Sequence, residues 1–482
     1  MQSEHKTIAT GKNLESNTSI NYSRIHPEAT ANDFHPNGKI LSDAQIQLLN
    51  IKLKNENKDA VYSKKYLQHL GVSIDRGSIV RIKDETGRFI LYAVYKTEFT
   101  RKAKILGKGS FAKVKVLQNL ETGDFDKVLK VLTNPSGKQN FQAEALINDK
   151  LGRGSKHVLK KKMSEGTVRK NKWYMLQNRV MGKDFYDCLI NQNPLPAEQF
   201  DMTLKAFKCI QALHAKGKVH RDIKIENMMY DSFTGTVKEI DLAMAQKIGA
   251  PFDEILGTEG CIAPEIRIHE KKYSPASDVY ALGRLVQEVF GIFASIDIRD
   301  EKIEFGGCCP RSKYNYTLAE FVDIKNLAKK MLCSNPEARL SLDLAYIELE
   351  GIQFRFNQTR LKAKKLFSDC VKDLKDLLKN YLNPNNHKSS GALFKPNPAD
   401  TVQVTGLLKI IDELDALQPQ DINADPLKKL NKLRGMLKVV KDNLTESYLV
   451  TQIDKIADYI NQNYPEATPN LAPKFGMAVN LN

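Results

Sequence analysis

Apolar and polar positions change period several times along this chain, and each change marks an element. Residues 1–57 are polar, rich in Asn, Ser and Thr, with few clustered apolar side chains. Such a segment buries too little surface to offset its ordering entropy, so disorder is expected apart from a short helix near Asp43–Leu53. Within 58–100, Ser78–Lys83, the turn Asp84-Glu85-Thr86-Gly87 and Arg88–Tyr95 predict a β-hairpin. Strand, Gly-rich turn and strand follow over Ile105–Val114, then a strand at Asp126–Leu132 and an amphipathic helix from about Gly137 to Leu151. Lys172–Phe185 reads as a strand followed by a short connection and a helix. Pro196–Lys216 is a helix with Phe200, Leu204, Phe207, Ile210, Ala212 and Leu213 as its apolar set, and Leu318–Glu350 is helical. Beyond Phe356 only helical periods remain, enough for three or four amphipathic helices over 357–464. Their stripes are Leu361, Leu366, Phe367, Val371, Leu374 and Leu378; Leu407, Ile411 and Leu414; Leu427, Leu430, Leu433, Leu437 and Val440; and Leu449, Ile453, Ile456 and Ile460. Asn383–Pro398 is a polar linker and residues 465–482 a loose tail.

Composition narrows the classes. At 482 residues the chain has room for two or three cores. It has no unbroken apolar run of membrane-spanning length, and its N-terminus, MQSEHKTIATGK, has no apolar segment of a secretory signal. Seven scattered cysteines, none in a CxxC pair, fit reduced thiols in a cytoplasmic protein. The net charge of +16 is spread along the chain, with Lys160-Lys161-Lys162 as the longest basic run. That distribution fits a solvated Lys-rich surface, and no nucleic-acid partner is expected.

The densest chemistry lies in His220-Arg221-Asp222-Ile223-Lys224-Ile225-Glu226-Asn227, with Asp241 nineteen residues beyond Asp222. Two Asp and one Asn at this spacing suit a site that holds Mg²⁺ on a polyphosphate and orients a hydroxyl beside it. The run matches H-R-D-x-K-x-x-N, and over residues 100–356 the sequence resembles a eukaryotic-type Ser/Thr protein kinase.

That resemblance implies an α+β, bilobal fold with a small β-rich lobe and a large helical one. Its cofactors are ATP and Mg²⁺. Asp222 would accept or orient the substrate hydroxyl proton, Lys224 would steady the γ-phosphate, and Asn227 and Asp241 would hold the metal. Gly107 and Gly109 would lay backbone over the phosphates, with Ala112 where the family has a third glycine; Val114 and Val128 would line the adenine. Lys130 would reach the α/β-phosphates and pair with Glu144. Gln177 stands at the gatekeeper position, and Asn178 to Val180 would present backbone groups to adenine. Asp241-Leu242-Ala243 replaces Asp-Phe-Gly, and Ala243 is the less comfortable change because glycine there gives the backbone freedom.

Further along, Gly257-Thr258…Ala263-Pro264-Glu265 resembles the end of an activation segment. Thr258 would bond near Asp222 and Lys224, Glu265 would pair with Arg339, and Asp278 would anchor the catalytic loop. Arg221 needs a nearby anion, and Glu254 or Asp253 would supply it without phosphorylation. Asp184 and Glu226 lie where basophilic members hold substrate arginines, which implies a Ser/Thr acceptor with basic residues upstream. The domain reading is then 1–57 disordered, 58–100 hairpin extension, 101–356 kinase (small lobe 101–180, large lobe 181–356), 357–464 helical domain and 465–482 tail. The helical domain is a bundle on the large lobe or a docking module for a partner. The private extensions and Lys/Asn-rich composition resemble in style effector kinases that bacterial pathogens deliver into host cytosol. Two rival functions stay open: a pseudokinase scaffold, suggested by Ala112, Val128 and Ala243, and a kinase-fold AMP transferase.

Overall fold

The computed structural model describes residues 43–54, 59–72, 78–95, 105–108, 112–132, 138–152, 154–162, 173–192, 194–251, 255–268, 272–292, 316, 318–383, 397–417, 425–445 and 447–463. They form an α+β fold, a small lobe built on a curled β-sheet and a helical large lobe, extended by C-terminal helices. The described residues fall into two compact units, those within 1–184, 217–222 and 227–247, and those within 185–216, 223–226 and 248–482.

The first unit begins with α1 (Asp43–Lys52), β1 (Ala60–Tyr62), α2 (Lys64–His69), β2 (Ile79–Lys83) and β3 (Phe89–Val94). The β2–β3 turn is set by Asp84, whose Oδ1 accepts from the Thr86 hydroxyl and from the backbone N–H groups of Thr86 and Arg88. Gly87 completes it at φ 83°, a conformation that costs a residue with a Cβ. There follow β4 (Ile105–Lys108), β5 (Ala112–Asn119), β6 (Lys127–Leu132), α3 (Lys138–Lys150), β7 (Gly154–Lys162) and β8 (Trp173–Asn178). Short strands β9 (Lys183–Asp184), β10 (Lys218–Val219), β11 (Met228–Asp231), β12 (Thr236–Glu239) and β13 (Gln246–Lys247) complete the unit.

The main sheet runs β3-β2-β1-β7-β8-β6-β5-β4, and β3 also pairs with β5. Tyr92, Ala93 and Val94 oppose Asn119, Gln118 and Leu117, so seven strands close into a ring from which β4 branches. The residues before 100 thus do more than extend a hairpin: β1 joins β7 in parallel and β3 closes the circuit. Alternation then sorts the side chains. Val61, Val80, Ile82, Tyr92, Val94, Leu117, Leu129, Val131, Tyr174 and Leu176 form one buried cluster. Ile79, Leu91 and Ala93, from the opposite strand faces, join Leu49, Leu53 and Leu67 of the α1–α2 region in another. The helix expected near Asp43–Leu53 is therefore present and its leucines are core.

In the second unit are α4 (Pro196–Ala215), α5 (Pro275–Val289), α6 (Leu318–Met331), α7 (Leu342–Leu382), α8 (Pro398–Asp415), α9 (Pro426–Lys441) and α10 (Ser447–Asn463). Pro196 at the first turn of α4 and the Glu198 carboxylate accepting from the Leu195 N–H explain where that helix starts. The expected boundary at 356/357 falls inside α7, an unbroken helix of 41 residues. Of the first tail stripe, Leu366, Phe367, Val371, Leu374 and Leu378 are buried, but Leu361 is 61% exposed. Phase accounts for this correction: the buried line passes through Phe356, Arg360 and Ala363, leaving Leu361 on the outer side. The stripes of α8 and α9 are buried, as are Leu449, Ile453 and Ile460 of α10, with Ile456 partly so. Asp400 is fully buried and accepts from the Thr445 N–H and hydroxyl at 2.9 Å each, tying α8 to the turn before α10.

Candidate active site

Strand register brings distant residues into rows. Gly107 of β4 opposes Val114 of β5, Val114 opposes Lys130 of β6, and Lys130 opposes Met175 of β8. One step along, Val128 opposes Gln177. Gly109 lies outside the described residues. Leu129 and Val131 point into the barrel cluster, so Lys130 points to the other face, toward α3. There Leu132 and Met175 pack with Phe141 and Ala145.

On that face the buried Lys130 ammonium donates to Glu144 Oε1 and Oε2 at 2.6 and 2.8 Å and to Asp241 Oδ1 at 2.8 Å. Burial alone would lower the Lys130 pKa, but Glu144 and Asp241 outweigh it and raise it. Burial acts to raise Asp241 as well, yet Lys130 and the Ala243 backbone N–H hold its carboxyl below the usual range. Burial pushes Glu144 up against the pull of Lys130, and a hydrogen bond from Gln177 further favours its charged form. That bond to Glu144 was not legible from the gatekeeper position, because it depends on how α3 sits against β8.

Asp241 adopts φ 60° and Arg221 φ 73°, the only non-glycine positive φ values among the described residues. Backbone strain of this kind persists where the surroundings over-determine it. Leu242–Met244 form a single 3₁₀ turn with Leu242 buried against α3. Ala243 needs no left-handed backbone, so the expected discomfort at that position does not arise.

Asp222 and Asn227 are both buried. The Asn227 amide donates to the Asp222 carbonyl at 2.8 Å and to its Oδ2 at 2.9 Å. Both N–H bonds are thereby used on Asp222, and the oxygen Oδ1 is directed away from it. The Asp222 N–H donates to His220 Nδ1 at 3.3 Å, and the Arg221 guanidinium donates to Gln246 Oε1 at 2.5 Å. Asp253 and Glu254, expected near Arg221, lie outside the described residues. The donor set suits a hard divalent cation: an ionised, 48% exposed Asp241 carboxylate and an amide oxygen. Among the described residues no group of three or more His, Cys, Asp or Glu could bind a metal by itself.

The residues expected at the adenine, Gln177 and Asn178 to Val180, lie at and just beyond the end of β8. The Asn178 Oδ1 accepts from Lys127 Nζ at 2.6 Å, and the Arg179 N–H donates to the Asp126 carbonyl at 2.8 Å. Gly182 has φ 93°, and a Cβ there would meet the Tyr230 carbonyl oxygen at 2.0 Å, so only glycine fits between β9 and β11.

The second unit holds Lys224, whose Nζ donates to the Thr258 hydroxyl at 2.8 Å. Glu265 and Arg339 form the expected buried bidentate pair at 2.8 Å. The Asp278 carboxylate accepts from His214 Nε2 at 2.8 Å. Glu288, ten residues after Asp278, was missed by the sequence reading. Burial pushes its carboxyl up to about 7, opposed by Arg284 and assisted by the negative charge of Glu226. A glutamate inside the apolar stretch of 279–290 was the available signal.

A Lys–Glu pair from strand and helix, with Asp, Asn and a second Asp on following loops, defines the class as protein kinase. The protein kinase domain model matches residues 100–348, more than half of the chain, and the chain belongs to that family. It is similar to cyclin-dependent kinase-like 2 of Homo sapiens, 29% identical over 192 residues, which are 39% of this chain and 38% of that protein. It is also similar to CBL-interacting serine/threonine-protein kinase 8 of Arabidopsis thaliana, 24% identical over 251 residues, 50% of this chain and 54% of the relative. The chain thus spans 38–54% of the length of these relatives. No helix among the described residues is long and apolar enough to cross a membrane.

Proposed function

We propose that this chain is a Ser/Thr protein kinase that transfers the γ-phosphate of Mg²⁺-ATP to a protein hydroxyl. The observation that carries this reading is the Lys130 ammonium held between Glu144 and Asp241. A scaffold has no chemical need to bury a lysine against two carboxylates, since such pairs gain little stability over apolar packing.

In this reading Lys130, fixed by Glu144, neutralises the α/β-phosphates, and Gly107, Gly109, Val114 and Val128 enclose the nucleotide with backbone groups of Asn178 and Val180 at the adenine. Asp241 and the Asn227 amide oxygen would hold Mg²⁺, which would supply charge neutralisation on the phosphates. Asp222, oriented by the Asn227 amide, positions the acceptor hydroxyl and takes its proton as the bond to phosphorus forms. Lys224 balances charge on the transferred group, and Thr258 fixes its ammonium. Rate enhancement comes from positioning and preorganised charge. The position of Ala243 in an ordinary right-handed turn weakens the scaffold alternative.

A preference for basic residues upstream of the acceptor is our reading of Asp184 and Glu226, the acids that lie where basophilic kinases hold substrate arginines. Activity without loop phosphorylation remains our reading of Asp253 and Glu254, as does action on host proteins. The test is intact-mass analysis of the protein and a basic Ser/Thr substrate after incubation with Mg²⁺-ATP, beside Asp222→Asn. Additions of one phosphate, lost in the variant, are expected, and prior phosphatase treatment should not abolish them. AMP-sized additions would overturn the reaction, and binding of ATP without any addition would favour the scaffold.

A further inference from the structure

Helix α7 carries apolar side chains on two opposite faces. Leu342, Ala345, Leu349, Ile352, Phe356 and Ala363 are buried, as its packing on α4 and α6 requires. On the other side Leu344, Ile347, Phe354 and Leu361 are 55%, 60%, 63% and 61% exposed. With Gly351 and Gln358 they advance in alternating steps of three and four residues, the a/d spacing of a helix–helix seam. The seam is roughly 26 Å long at 1.5 Å per residue. It stops after Leu361, where the same line continues with Lys365 and Ser368. A helix apolar on both sides is ordinarily covered on both.

The flank of the seam says what covers it. At seven-residue intervals beside it stand Asp343, Glu350, Asn357 and Lys364, running from acid to base. We propose that this face binds a second copy of itself, antiparallel, about a two-fold axis near Ile352. That register sets Leu344 against the partner's Leu361 and Ile347 against the partner's Gln358. Phe354 enters the notch at the partner's Gly351, where even a Cβ would find only the Arg355 side chain, at 3.7 Å. It also aligns Asp343 with the partner's Lys364 and Glu350 with the partner's Asn357. Asp343 already accepts a hydrogen bond from Gln211, which holds its carboxylate in place. A parallel pair would set Asp343 against the partner's Glu348, a repulsion that offsets its one attractive pair, Glu350 with the partner's Arg355, and Asn357 against the partner's Lys362; the antiparallel pair has no like-charge contact, so charge favours it.

Sedimentation velocity on the full chain across micromolar to submillimolar concentrations tests this. A monomer–dimer equilibrium in the micromolar range is expected, since so small a patch lies at the weak end of stable interfaces. Phe354→Glu and Leu361→Glu should abolish the dimer with helical circular dichroism unchanged. Asn357→Lys adds two symmetry-related ion pairs with Glu350 and should tighten the dimer about fourfold, at roughly twofold per exposed pair; Asn357→Glu should loosen it. Three results would overturn the proposal. One is a monomer at every concentration, and another is a dimer indifferent to Phe354→Glu. The third is a dimer loosened by Asn357→Lys, which would indicate a parallel pair or a different face.

Discussion

Lys130 is stable as a buried cation only because two carboxylates answer it, and that balance makes each partner's removal informative. Replacing Glu144 by Gln leaves one counter-charge and lets the ammonium wander from the phosphates. Phosphoryl transfer is expected to fall by about 10²-fold or more, with binding of ATP less affected, read as kcat against KM. Asp241→Asn should fall further, because it removes the carboxylate that meets Lys130 and that we propose as the metal ligand. Glu288 offers a pH-dependent readout. Its folded pKa of about 7 lies above the ordinary carboxylate value of 4.5, so the folded state holds the proton more tightly than the unfolded chain. Its contribution is therefore fully present below about pH 4.5 and is lost as pH rises through about 7. Glu288→Gln should flatten that part of the stability profile, with a gain at pH 8 of up to about 3 kcal/mol from 1.36 kcal/mol per pKa unit. Urea melts at pH 5 and pH 8 check it, and an unchanged difference between the two would contradict the assignment.

At the scale of elements, closure of the small-lobe sheet makes the residues before 100 part of the kinase core. Strands β1, β2 and β3 contribute Val61, Val80, Ile82, Tyr92 and Val94 to the same cluster as Leu117, Leu129 and Leu176. A chain beginning at residue 101 loses those partners and leaves β5 and β7 with open edges, which invite edge-to-edge association. It is expected to aggregate, whereas a chain beginning at residue 43 keeps every strand; size-exclusion chromatography and thermal melting of the two check this. Periodicity made the β2–β3 hairpin legible, because Asp84 and Gly87 carry local turn chemistry. It could not reveal that β3 pairs with β5, since that pairing depends on long-range backbone bonds that leave no local signature.

For the whole molecule, Arg360 is the residue that fastens the C-terminal helices to the large lobe within the second unit. Its guanidinium bonds Glu320 of α6, lies 3.8 Å over the Phe356 ring and sits 3.6 Å from Asp425 at the start of α9. Arg360→Ala leaves Glu320 buried without its counter-charge, a loss of about 3–5 kcal/mol. Chemical denaturation should show it, and Glu320→Gln in the same background should recover part of the loss. The sequence suggested a boundary near Phe356, where the kinase resemblance ends and only helical periods remain. The continuous α7 shows why that misled: the first helix of the tail begins in the lobe.

What the sequence determined by itself is the chemistry. Motif spacing fixed Lys130, Asp222, Lys224, Asn227 and Asp241 as candidates, because catalytic loops are short and their residue types are dictated by phosphate and metal. It also fixed the existence of most helices, through stripes such as that of Leu427 to Val440. The tertiary structure decided which face each stripe meets, that Glu144 reaches both Lys130 and Gln177, that Ala243 is unstrained, and that the β-sheet closes. These depend on contacts between residues far apart in the chain, whose distances no local pattern encodes.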